Sequence, residues 1–199
     1  MDEKLSNAVQ WVEDHNIIMP QYPEELDWLW DQVYNLRPSV IVEIGSMEGG
    51  SFYVLSHACN DGSLVISIEL PYGDGNSAEK LMMVNEQLKA EGYDSKVILG
   101  DSKSSEVLDE LKNILNGRSI DFLFIDGDHT YEGVKSDWNN YSQFLREKSL
   151  VGFHDLMDPP YIPEDQAFQV FNELKPYYVC QEKIVKWGVG VLLYEKGKL

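Results

Sequence analysis

From Ser39 onward the chain alternates short apolar runs with helix-length polar stretches, and this rhythm restricts the available folds more than any other feature. Val40-Ile41-Val42, Leu64-Val65-Ile66-Ser67-Ile68, Val97-Ile98-Leu99, Phe122-Leu123-Phe124-Ile125 and Leu150-Val151-Gly152-Phe153 are five such runs. Apolar on consecutive rather than alternate positions, they fit strands buried on both faces. The stretches between them carry helical spacing, as Val134, Trp138, Tyr141 and Leu145 do. Strands joined by helices imply right-handed crossovers and a parallel sheet covered on both sides.

Both ends of the chain depart from the rhythm. Leu5, Ala8, Val9 and Val12 share one helical face, and Leu26, Leu29, Val33 and Leu36 share another after the Pro20–Pro23 break. Residues 1–37 are therefore expected to add a helical extension. Trp28, Trp30 and Tyr34 fit either a face packed on the core or one packed on a second subunit. Near the other end, Tyr177-Tyr178-Val179-Cys180 and Val189-Gly190-Val191-Leu192-Leu193 flank a short connection around Lys186-Trp187-Gly188. That connection is too short for a crossover helix, so these two strands should pair antiparallel. The expected fold class is α/β: one domain over residues 1–199, with a doubly wound, mostly parallel seven-stranded sheet ending in an antiparallel hairpin.

Charge narrows the partners. With 16 basic and 34 acidic residues, the net charge of −18 repels phosphate backbones and anionic lipid surfaces. No nucleic-acid or membrane partner is expected. Cys59 and Cys180 lack the paired spacing of a zinc or redox site and read as reduced thiols. No apolar run approaches the ~18–20 residues that span a bilayer, and Met1-Asp2-Glu3-Lys4 does not open a signal peptide. A soluble, cytoplasmic protein is expected, with a homodimer as the base-rate oligomer.

In an open parallel sheet, ligands bind beyond the carboxyl ends of the strands, so the residues after each run are the informative ones. Glu43-Ile44-Gly45-Ser46-Met47-Glu48-Gly49-Gly50-Ser51 follows the first run. Its glycines allow a tight turn and close backbone approach to a nucleoside-type ligand, although Met47 breaks the G-x-G-x-x-G pattern. Glu69 ends the second run, where a carboxylate can accept from both hydroxyls of a ribose. Gly100-Asp101-Ser102 follows the third; Asp101 either accepts from an exocyclic amine or caps the next helix. The most specific stretch is Ile125-Asp126-Gly127-Asp128-His129-Thr130-Tyr131, and Gly152-Phe153-His154-Asp155 ends the fifth run. If the fourth and fifth strands are neighbours, about 4.8 Å apart, Asp126, His154 and Asp155 converge. Two carboxylates and an imidazole suit a divalent cation. The plainer reading has Asp128 and Thr130 capping a helix and His154 in an ordinary hydrogen bond.

On these residues the chain resembles the class I S-adenosylmethionine-dependent methyltransferases, and within them the bacterial metal-dependent sugar and natural-product O-methyltransferases. The resemblance runs from about Gln21 to the terminal hairpin and implies a Rossmann-like fold. By resemblance, Gly45, Ser46, Gly49 and Ser51 hold the methionine part of S-adenosyl-L-methionine, and Glu69 its ribose. Asp101 and Ser102 lie against the adenine, and Glu43 and Asp126 count with the cofactor-binding positions. Asp126, His154 and Asp155 match metal-binding positions, with magnesium the implied ion, and His129 or Asp128 stands in the place of the general base. His154 departs from the pattern, because relatives often carry an acid there and imidazole binds magnesium less readily than carboxylate. The implied activity is methyl transfer to a small hydroxylated acceptor, a sugar or natural product. Residues 156–166, with Pro159-Pro160 and Pro163, form either a lid over that acceptor or an ordered surface connection. Two other readings share parts of the pattern: a nicotinamide-dependent oxidoreductase and a non-catalytic binder of an adenosyl ligand.

Overall fold

A computed structural model describes residues 2–71 and 76–198 of the chain. Two helices come first, α1 (Glu3–Asp14) and α2 (Pro23–Leu36). Five strands then alternate with helices: β1 (Val40–Ile44), α3 (Gly50–Ser56), β2 (Leu64–Glu69), α4 (Asn76–Ala90), β3 (Asp94–Leu99), α5 (Ser105–Leu115), β4 (Ile120–Ile125), α6 (Tyr131–Tyr141) and β5 (Leu145–His154). Helix α7 (Ala167–Leu174) leads to β6 (Val179–Lys183) and β7 (Val189–Leu193). The seven strands form one sheet in the order β3-β2-β1-β4-β5-β7-β6. The first five run parallel, while β7 pairs antiparallel with both β5 and β6.

Burial explains why these runs become strands. Every residue of β1, β2 and β4 is buried, as central strands covered on both faces require. Side chains alternate between the two faces. Val40, Val42 and Ile44 of β1 join Leu111, Trp138 and Phe171 of α5, α6 and α7 on one side. Ile41 joins Leu5, Leu29, Phe52 and Leu81 of α1 to α4 on the other. Trp30 belongs to this second core at 1% exposure, stacked on Tyr34 with ring centroids 4.6 Å apart. Trp28 and Tyr34 are half-buried against the same cluster, so the aromatic face of α2 packs on its own sheet.

Three boundaries differ from the expectation. Helix α6 stops at Tyr141, and a 3-10 turn over Ser142–Phe144 delivers Leu145 in extended geometry as the first residue of β5. Strand β3 begins at Asp94, earlier than its apolar run, because its backbone pairs with Leu64 of β2. Strand β6 starts at Val179 and continues through Gln181, Glu182 and Lys183. It lies on the sheet edge, where pairing with β7 fixes its extent and no apolar face is needed. Among the described residues, no helix is long and apolar enough to cross a membrane.

Candidate active site

The strand order reverses between β1 and β4, and a cavity of about 560 Å³ opens beyond their carboxyl ends. Crevices at such reversals are the usual ligand sites of open α/β sheets. Gly45, Ser46, Ser51, Glu69, Asp101, Ser102, Asp126, Asp128, His129, His154 and Asp155 all line it. Of the expected cofactor residues, Glu43 and Gly49 are not in the wall.

Local chemistry shapes the first half of the cavity. Gly45 has φ +85°, and a Cβ there would lie 2.2 Å from the backbone oxygen of Asp126. The ends of β1 and β4 can meet only with glycine at that position. Glu69 Oε2 accepts from the backbone N–H groups of Ser46 (2.7 Å) and Met47 (2.8 Å), which holds the loop after β1 against the end of β2. Glu43 sits beneath, 1% exposed, accepting from Ser51 Oγ at 2.5 Å, while its Oε2 has no partner. Burial pushes its carboxyl up to about 8, so it is mostly neutral near pH 7. Gly49 serves packing: a Cβ there would meet Leu81 Cδ1 at 3.0 Å.

Beyond β3, Asp101 Oδ1 accepts from Lys103 N at 2.9 Å, while Ser104 caps α5 by accepting from Val107 N. Asp101 is therefore not the helix cap. Ser102 Oγ donates to Asp137 Oδ1 at 2.7 Å. Asp137 is fully buried on α6, and burial raises its carboxyl to about 6.

The second half is built by β4 and β5, which are neighbours in the sheet. His154 Nδ1 lies 3.3 Å from both Asp126 Oδ1 and Asp155 Oδ2. His129 Nδ1 lies 2.9 Å from Asp155 Oδ2 and 3.4 Å from Asp165 Oδ1, with Nε2 3.7 Å from Asp126 Oδ1. Asp155 adopts φ +56°, a left-handed geometry that few non-glycine residues occupy. The hydrogen bond to Asp155 raises the His129 ring to about 9, against the opposing effect of burial. Burial also works against a charged His154, but Asp126 and Asp155 carry it well above its ordinary value. Burial would raise Asp155, yet hydrogen bonds from both imidazoles hold it far below the usual carboxylate range.

The donor set fits a divalent cation. Ligand atoms of Asp126, His154 and Asp155 lie within 4.8 Å of one another, and so do those of His129, Asp155 and Asp165. No lysine or arginine pairs with these carboxylates among the described residues. His154 is the weaker donor, because its Nε2 is buried without a partner and a metal-binding ring is normally oriented from that side.

Asp128, although in the wall, is committed to other partners. It accepts from Thr130 N, Thr130 Oγ1 and Lys103 Nζ, the last at 2.8 Å, while Thr130 caps α6. Burial is outweighed by these bonds, and its carboxyl is lowered. Sequence reading missed three residues of this half. Asp165 reaches His129 from the 156–166 segment, whose end is fixed by Gln166 N donating to His129 O at 2.8 Å. Gln21 Nε2 donates to Asp126 Oδ2 at 2.7 Å. Trp187 closes the wall. None lies on a periodic element, and only the prolines around Gln21 and Asp165 hinted at ordered loops.

Comparison with known proteins agrees with this architecture. An O-methyltransferase from Bacillus cereus, solved with SAH, superposes with a TM-score of 0.66 at 19% identity, covering 98% of this chain and 92% of that one. TomG from Streptomyces achromogenes, an O-methyltransferase of tomaymycin synthesis solved with SAM, gives 0.71 at 16% identity, with 98% and 91% covered. The SAH-bound Podospora anserina methyltransferase PaMTH1 gives 0.69 at 15%, with 98% and 89% covered. By sequence, the protein y4gI of Sinorhizobium fredii is 30% identical over 138 residues, 64% of this chain and 14% of that protein. Protein R132 of Acanthamoeba polyphaga mimivirus is 31% identical over 123 residues, 62% of this chain and 54% of that one. The chain thus matches only part of the length of these two relatives. The model of one methyltransferase-domain family, Methyltransf_24, matches residues 42–156, the stretch that runs from β1 through the glycine loop to the acidic ends of β4 and β5, and the chain belongs to that family.

Proposed function

We propose that the protein transfers a methyl group from S-adenosylmethionine to a hydroxyl of a small acceptor, with residues 1–199 acting as one catalytic unit in the cytoplasm. The observation that carries this reading is a cavity that joins two unlike halves. The Gly45–Met47 loop and Glu69 line one half, and an imidazole among three carboxylates lines the other.

Methyl transfer from a sulfonium is an in-line displacement, so alignment of acceptor oxygen and methyl carbon is the main demand. In this reading Gly45, Ser46 and Ser51 receive the methionine part, Glu69 the ribose, and Asp101 and Ser102 the adenine. Glu43 acts from behind by fixing Ser51. His129 is the base. Its Nδ1 proton is directed to Asp155, which orients the ring; a cation held by Asp126 and Asp155 would offset the carboxylates that keep the ring protonated up to about 9, freeing Nε2 to take the hydroxyl proton. Asp128 is committed to Lys103 and Thr130 and is the poorer candidate. Asp126 and Asp155, with His154 and Asp165 beside them, would hold a divalent cation, magnesium being the natural choice for an oxygen-rich set. Such an ion supplies acidification of a bound hydroxyl.

Calorimetric titration tests the cofactor assignment. S-adenosylhomocysteine should bind with a stoichiometry of one, whereas NAD should give no heat. Binding of NAD without S-adenosylhomocysteine would overturn the proposal in favour of an oxidoreductase. Binding of S-adenosylhomocysteine with no methyl transferred to any hydroxylated compound would favour a non-catalytic adenosyl binder.

A further inference from the structure

Glu25 lies in the first turn of α2, where a carboxylate ordinarily faces solvent and complements the helix dipole. Here it is 1% exposed, and its Oε1 accepts from three backbone N–H groups of the β6–β7 connection: Val185 (2.7 Å), Lys186 (2.7 Å) and Gly188 (2.9 Å). The connection is gripped from its other side as well. Met157 N donates to Trp187 O at 2.8 Å and Leu156 N to Gly188 O at 3.2 Å. Gly188 has φ +87°, and a Cβ there would meet Met157 N at 2.9 Å, so the turn and the segment after Asp155 are in close contact. A strand connection held by five hydrogen bonds is a built feature, and the residue it presents is Trp187.

Trp187 lines the cavity beside Ile162, and Tyr161 meets its ring edge to face at 5.4 Å. Through Met157, whose N–H donates to its carbonyl, it stands two residues from Asp155, on the acidic side of the cavity. Tyr161 and Ile162 are 64% and 49% exposed and form an apolar lip among the described residues. The charges around this lip are equally telling. Among the described lining residues the one lysine is Lys103, already bound to Asp128, and there is no arginine. Lys186 lies outside the lining, with Nζ 4.9 Å from the Trp187 ring centroid. Apart from the cation the carboxylates would hold, no side chain among the described lining residues is free to pair with a carboxylate or phosphate on the acceptor.

We propose that Trp187, held by Glu25 and flanked by Ile162 and Tyr161, is the specificity-determining wall of the acceptor half, and that it selects an uncharged hydroxylated ring. The inference rests on the reading that the acidic end receives the methyl acceptor. Its shared chemistry is a flat C–H or π face set against an indole, which an aromatic ring and a pyranose both offer. Trp187 is a specificity residue and Glu25 a positioning residue.

The test measures kcat and KM for methyl transfer from labelled S-adenosylmethionine, with magnesium, to catechol and methyl glucoside. Their carboxylated counterparts, 3,4-dihydroxybenzoate and glucuronate, are run beside them, and S-adenosylhomocysteine affinity is measured for every variant. One neutral ring should outperform its carboxylated partner at least tenfold in kcat/KM, and which one it is distinguishes aromatic from sugar acceptors. Trp187→Ala should raise KM for that ring roughly five- to tenfold, with Trp187→Phe restoring most of the loss. Glu25→Gln keeps an acceptor for the three amides but weakens the grip, so KM should rise while kcat moves less. An unchanged KM in Trp187→Ala overturns the proposal. So does preference for the carboxylated partners that disappears in Lys186→Ala, or a protein that binds S-adenosylhomocysteine yet accepts no ring of the panel. Failure to bind S-adenosylhomocysteine overturns the cofactor reading itself.

Discussion

Glu43→Gln offers a measurement whose size follows from one buried carboxyl. Glu43 is fully enclosed at the end of β1, takes one hydrogen bond from Ser51, and leaves Oε2 without a partner. Burial lifts its carboxyl from an ordinary 4.5 to about 8. In the unfolded chain the group ionises near its ordinary value, whereas in the folded protein it stays protonated until the higher one. The folded state therefore binds more protons over that window. The contribution of Glu43 to stability is present in full below about pH 4.5 and is lost as pH rises through about 8. The slope between is about 1.4 kcal/mol per pH unit, which amounts to about 3 kcal/mol at pH 7 relative to pH 4.5. Glutamine matches the neutral acid in shape and cannot ionise, so Glu43→Gln removes the slope and keeps the Ser51 contact. Urea unfolding of both proteins from pH 5 to 8, with chelator and no cofactor, should show the variant gaining on the parent by about 1 kcal/mol or more per pH unit. A difference between the two that stays flat across this range would refute the assignment of a neutral Glu43.

Three further perturbations probe other parts of the molecule. Gly45→Ala drives a Cβ to 2.2 Å from the Asp126 oxygen at φ +85°, so thermal unfolding should register a loss of at least about 3 kcal/mol. Asp155→Asn removes the charge that orients His129; kcat should fall by at least about 100-fold while S-adenosylhomocysteine affinity, read by calorimetry, persists. Ser104→Ala deletes the side chain that caps α5 and should cost about 1 kcal/mol in urea unfolding.

Legibility in the sequence followed the physics of each element. Strands β1, β2 and β4 were readable because burial on both faces writes a continuous apolar run. Convergence of Asp126, His154 and Asp155 followed once β4 and β5 were neighbours, since residues one step past adjacent parallel strands must lie close. Leu145 misled because it continues the i, i+4 spacing of Tyr141, and spacing cannot reveal that a 3-10 turn intervenes. Edge strand β6 was readable only at its start, Val179 and Cys180, because Gln181, Glu182 and Lys183 carry no apolar signal to mark its extent. Asp165, Gln21 and Trp187 lie on irregular segments whose positions depend on tertiary contacts. Glu25 is the clearest case: its helical position predicts an exposed acid, while its partners lie 160 or more positions along the chain.

That separation constrains how the protein is made. On the ribosome, Glu25 emerges early, but the amides that satisfy it exist only after residue 188 has been added. Strand β7 likewise enters between β5 and β6, both synthesised before it. A nascent chain can assemble β1 to β5 and their helices while the place for β7 stays open. The tunnel must release the hairpin before the Trp187 side of the cavity has any shape, so a ribosome stalled short of Gly188 carries a sheet but no finished pocket.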